Sequence, residues 1–161
     1  PTASSVIGPT QTVTDTLLLD LGGRKLLLTA WPVAHTHADL TVLDEQTRTL
    51  WAGDLVFREH IPVLDGSLKG WLSVMKSLKS IDTKLIIPGH GPPGNNWTEV
   101  LAAQENYFTN LLEETRQAIA GGVFMEDAIN TVGASAKDQW QLYDQHHRGN
   151  VSRAYVELEW E

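Results

Sequence analysis

Two histidines and one aspartate carry the chemistry this sequence can do. His35 stands in Ala34-His35-Thr36-His37-Ala38-Asp39-Leu40, and Asp54 closes Trp51-Ala52-Gly53-Asp54. His90 lies between glycines in Pro88-Gly89-His90-Gly91-Pro92. Each follows a stretch of strand character and meets a loop, so all three fall where strand tips bring side chains together. Two imidazoles and a carboxylate form a donor set suited to zinc. The three lie 19 and 36 residues apart, so they come from successive elements rather than from one helix. A carboxylate after an apolar strand and a glycine is costly unless it faces water or a cation. Glycines on both sides of His90 let the backbone bend and keep bulk away from its ring.

The other histidines are expected to be ordinary. His60, in Arg58-Glu59-His60-Ile61-Pro62, and His146-His147 fit surface or hydrogen-bonded core positions. Adjacent residues on a helix point about 100° apart, so His146 and His147 form no chelating pair. Of the six tryptophans, Trp71 and Trp51 are expected in the core.

The elements that must position the three donors can be traced along the chain. After an irregular lead-in over 1–12, Thr16–Leu21 and Lys25–Trp31 flank Gly22-Gly23 and predict a hairpin. Residues 39–53 predict a second hairpin, with Leu40, Val42 and Leu50 inward and Asp44–Arg48 as its polar turn. Leu68, Trp71, Leu72, Met75 and Leu78 share a stripe at helical spacing within Ser67–Ser80. Lys84–Ile87 is a short buried strand leading to His90. Asn96, with Glu99 three residues on, marks a helix start, and Gly121-Gly122 its end. Further helices are expected over Met125–Thr131 and from Ser135 onward. The fold class is α+β, a layered α/β arrangement with helices on one sheet face. One domain spans 1–161: strand-rich over 13–57, helix and strand over 67–91, helical over 96–161.

Composition bounds the function. The 161 residues are 42% hydrophobic, enough for a core, and carry a net charge of −8. That charge argues against nucleic acid or an anionic membrane as partner, since both require a basic patch. There is no cysteine, which excludes disulfides and zinc-thiolate sites and is silent on redox compartment. No apolar run reaches membrane-spanning length. The first residue is proline, which implies processing or excision from something longer.

Three segments resemble the metallo-β-lactamase superfamily. "AHTHADL" is similar to its GHTxGD segment, "LWAGDLVF" to FTGDxLF, and "IIPGHGP" to PGHG. The ending "NVSRAYVELEWE" is similar to a narrower group, the glyoxalase II-like members and the zinc metallohydrolases linked to quinoprotein and sulfur-oxidation gene sets. Although "HTHAD" spells the start of the family's HxHxDH motif, Leu40 stands where that motif's last histidine belongs. Taken as GHTxGD, everything downstream falls into register.

The resemblance implies the second ββα half of an αββα sandwich, followed by C-terminal helices, with the HxHxDH half lying outside this chain. It implies metal ligands His35, Asp54 and His90, with Asp54 bridging two zinc ions and so also catalytic. Asp39 becomes a structural carboxylate, and His37 a candidate for a supporting contact. The parent would be a zinc-dependent hydrolase of a small-molecule thioester, ester or lactam; this chain alone would bind zinc weakly and be inactive. Two alternatives stay open: an iron-dependent sulfur dioxygenase of the same fold, and a non-catalytic assembly module. A half sandwich exposes apolar strands, so a homodimer or swapped assembly is expected. The resemblance leaves the periplasm open as the compartment.

Overall fold

A computed structural model of the chain describes residues 8–161; the first seven residues of the expected lead-in lie outside that range. Five strands form one sheet in sequence order: β1 (Thr16–Asp20), β2 (Lys25–Ala30), β3 (Leu40–Asp44), β4 (Thr49–Phe57) and β5 (Leu85–His90). The first four make an antiparallel meander, and β5 runs parallel to β4. A parallel pair needs a long crossover, and α1 (Leu68–Leu78) lies within it. Ser67 caps α1 by accepting from the Gly70 N–H, and Leu68, Trp71, Val74, Met75 and Leu78 are its buried face. The chain continues through α2 (Trp97–Ala120), α3 (Met125–Thr131), a 3-10 segment (Ala134–Gln139) and α4 (Tyr143–Leu158). The Asn96 side chain caps α2 through the N–H groups of Thr98 and Glu99.

The core lies between the sheet and helices α1, α2 and α4, centred on Leu50, Leu55, Trp71, Ile86, Leu101 and Phe108. One cross-strand row, Leu27–Leu43–Leu50–Ile86, faces these helices. The neighbouring row, Leu17–Leu28–Val42–Trp51–Ile87, is also apolar and points to the opposite, open face. A sheet with apolar residues on both faces is built to be covered on both.

That second row overturns two expectations. Leu40 and Val42 belong to the open face, whereas Thr41 and Leu43 turn inward. Thr41 tolerates burial because the Trp31 indole donates to its hydroxyl at 2.9 Å. Trp51 is 41% exposed on the same open face rather than in the core. Alternation tells one face from the other only when one of them is polar. Asp44, assigned to a polar turn, is instead buried at the end of β3. The Arg24 guanidinium holds its carboxyl down to about 2, and Thr47 and Gln46 add hydrogen bonds.

Candidate functional site

The structure brings His35, Asp54 and His90 together, with His90 at the end of β5 and His35 in the loop following β2; Asp54, expected to close its strand, instead lies within β4, which runs on to Phe57. Asp54 lies between the two imidazoles and presents a different oxygen to each. Oδ2 is 3.7 Å from His35 Nε2, and Oδ1 is 3.4 Å from His90 Nε2. His35 is the most enclosed, with 13% of its side chain exposed, against 45% for Asp54 and 43% for His90.

Local sequence explains each placement. The β4–β5 register shifts on both sides of Gly53, whose φ of 55° places it in the left-handed region. Such an irregularity re-aims the side chain of the residue that follows it, here Asp54. Gly89 then leaves room for the carboxylate: a Cβ there would sit 2.0 Å from Asp54 Oδ1 and 2.8 Å from the Gly53 carbonyl carbon. His90 ends β5, and its carbonyl accepts from the Arg58 N–H at 2.9 Å. Arg58 also donates from Nη1 to the carbonyls of Pro92 and Pro93, which ties down the loop beyond His90.

His35 has both a fixed place and a fixed tautomer. Its Nδ1 lies 2.7 Å from the Val63 carbonyl oxygen, which can only accept. Nδ1 therefore carries a proton, and Nε2 is the nitrogen that faces Asp54. The ring packs against Phe57 and Trp71. Phe57 also stacks on His90, with centroids 4.6 Å apart and planes 20° apart, so one aromatic ring packs against both imidazoles.

A cleft of about 230 Å³ opens over these groups. His35, Asp54, Phe57 and His90 form one side; His60, Ile61 and Val63 form the next; Leu142 and His146 close it from the helical tail. His60 and His146, expected at ordinary positions, both face this cleft, and the His60 ring lies 5.6 Å from that of His90. Backbone pairing across a long sequence gap brings them in: Ile61 N–H donates to the Gln141 carbonyl, and Gln141 N–H to that of Glu59. Nothing local to His146 signals this contact. For His60 and Phe57, their place just past Asp54 was the available clue. His147 is buried, as a core histidine would be, between the Tyr107 hydroxyl and the Val132 carbonyl.

The remaining candidates stand apart. The Asp39 carboxylate accepts from the Thr36 N–H and hydroxyl and so closes the turn that follows His35. His37 is exposed and borders a separate hollow of about 480 Å³ on the open sheet face, beside Leu28 and Leu40. Among the described residues, no three His, Asp or Glu side chains close around one point tightly enough to hold an ion unaided. Among the same residues no helix is long and apolar enough to cross a membrane.

Fold and site together define a sheet-and-helix scaffold with two imidazoles and a carboxylate gathered along one edge of β4 and β5. The metallo-beta-lactamase superfamily model matches residues 2–90, more than half of the sequence, and the chain belongs to that superfamily. Solved structures agree on the fold. A metallo-beta-lactamase from Pontibacter korlensis is 25% identical, with a TM-score of 0.56 over 63% of this chain and 49% of that one. A metallo-beta-lactamase family protein from Thermus thermophilus is 16% identical, with a TM-score of 0.67 over 92% of this chain and 47% of its own. The stereoselective inverting sec-alkylsulfatase Pisa1 from Pseudomonas sp. is 15% identical, with a TM-score of 0.69 over 91% and 26%. The chain thus spans about half or less of the solved relatives it matches. No curated protein sequence matches it.

Proposed function

We propose that this chain carries one side of a two-metal hydrolytic centre, with His35 and His90 each holding a different zinc ion and Asp54 shared between them. The observation that carries the proposal is the orientation of Asp54, which offers one carboxylate oxygen toward each imidazole. The donor set fits zinc, and the fixed tautomer of His35 keeps Nε2 free as a donor. When bound, zinc lowers the pKa of water to about 7 and polarises a carbonyl, which permits hydrolysis at neutral pH.

The chain's own residues orient and shield. Val63 fixes His35, Phe57 packs against both imidazoles, and Gly89 seats the Asp54 carboxylate. The cleft suits a small molecule with a reactive carbonyl: a thioester, ester or lactam. Within the superfamily, the ending Asn150–Glu161 favours a glyoxalase II-like member. Further chain of the same fold, laid on the open sheet face, would supply the remaining ligands. Alone, this chain offers two donors to each metal and is expected to bind zinc weakly, with little hydrolase activity.

Calorimetric titration with zinc tests the ligand assignment, and a submicromolar site in the chain alone, lost in His90→Ala, would overturn the expected weakness. In a protein that includes the rest of the fold, Asp54→Asn should abolish thioester hydrolysis without loss of folding; retained turnover would refute the bridging role. Two imidazoles and a carboxylate also suit iron(II), so metal analysis of the same protein separates zinc hydrolysis from iron-dependent sulfur oxidation.

A further inference from the structure

The polar interior of α4 has no part in the assignments above. Asn150 is buried, and its side-chain amide reaches a loop that is nearly ninety residues earlier in the chain. Its Oδ1 accepts from the Leu64 N–H at 2.9 Å, and its Nδ2 donates to the Pro62 carbonyl at 2.7 Å. Nδ2 also donates to the Tyr107 hydroxyl at 3.0 Å. That hydroxyl lies 2.9 Å from His147 Nδ1, and His147 Nε2 lies 2.8 Å from the Val132 carbonyl. One proton arrangement satisfies the whole chain. His147 Nε2–H donates to Val132, Tyr107 donates to His147 Nδ1, and Asn150 donates to Tyr107.

The residue between the two that Asn150 grips is Val63. Its carbonyl takes the Nδ1 proton of His35 at 2.7 Å. We infer that Asn150 is a positioning residue for His35: by clasping Pro62 and Leu64 it fixes the Val63 carbonyl, and that carbonyl sets which nitrogen of His35 faces Asp54. A side chain on the last helix thereby governs a donor in a loop of the sheet. The tautomer part stands on geometry alone, while the metal consequence rests on the zinc reading above.

The test uses the chain with ¹⁵N-labelled histidine, with the His35 signals assigned by their loss in His35→Gln. Above the range in which imidazole titrates, wild type should show His35 as a single Nδ1–H tautomer. In Asn150→Ala a second, Nε2–H population should appear, and zinc should bind about tenfold more weakly, at the low end for an outer-shell partner. Leu78→Ala, which opens the core at the far end of α1, should lower stability as much or more and leave the His35 tautomer unchanged. A folded Asn150→Ala with one unchanged His35 tautomer overturns the inference. Should that variant not fold, Tyr107→Phe decides. It keeps the ring and removes one Asn150 partner, so a smaller shift of the His35 signals in the same direction supports the inference, and no shift overturns it. A tautomer change in Asn150→Ala, together with no zinc binding in a protein that includes the rest of the fold, would uphold the positioning role and refute the metal reading instead.

Discussion

Replacing Gly89 by alanine probes the site at its tightest point. The added Cβ would lie 2.0 Å from Asp54 Oδ1, about 1.4 Å inside the 3.4 Å limit of ordinary contact. The carboxylate could swing aside, but only by leaving its place between His35 and His90. The backbone has no such escape, since the same Cβ falls 2.8 Å from the Gly53 carbonyl carbon and 2.9 Å from Asp54 N. Overpacking of this kind costs about 2 kcal/mol. For a chain of this length that lowers Tm by about 4–8 °C. Zinc should bind at least about tenfold more weakly, equivalent to about 1.4 kcal/mol. Gly149→Ala is the internal comparison: it lies exposed within α4, and nothing lies within 4 Å of its would-be Cβ. There alanine should stabilise by about 1 kcal/mol through helix propensity, so Tm should rise. Thermal denaturation and zinc calorimetry on the two variants settle the matter. A Gly89→Ala chain with the wild-type Tm and zinc affinity would refute the claim that this glycine seats the carboxylate.

Further outcomes follow from other places in the molecule. The Thr115 hydroxyl is buried with no hydrogen-bond partner among the described residues, so Thr115→Val should raise stability by about 1 kcal/mol, seen as a Tm gain of about 2–4 °C. Burial lowers the pKa of His147 below its ordinary value of about 6.5, so the unfolded chain takes up the proton first as pH falls. Stability should then decline once pH drops below about 6.5 and keep declining down to the lowered folded value; the slope of Tm against pH in that range should flatten in His147→Gln. The open apolar row from Leu17 to Ile87 should drive self-association. Light scattering on this chain alone is expected to give twice the chain mass, and a well-behaved monomer would count against that face as a contact surface.

Much of this architecture was legible in one dimension because its signals are local. Gly22-Gly23 marked the first hairpin, Asn96 and Gly121 bracketed α2, and the stripe from Leu68 to Leu78 identified α1. The trio of His35, Asp54 and His90 could be singled out because each is an unusual residue beside an apolar run, although β4 continues past Asp54 to Phe57. Orientation was harder. Leu40 and Val42 look like inward residues until the second apolar row is seen, because a sheet meant to be covered on both faces has no polar side to mark the outside.

The sequence by itself determined the strand and helix order, the donor types, and their delivery by three separate elements, since these depend on short-range pattern and side-chain chemistry. Only the tertiary structure decided which nitrogen of His35 faces Asp54, that Phe57 packs against both imidazoles, and that His60 and His146 share the cleft. Those features arise where β5 lies beside β4 and α4 returns to the 59–64 loop. The contacts join residues as many as eighty-eight positions apart, and no local periodicity encodes a hydrogen bond across such a gap.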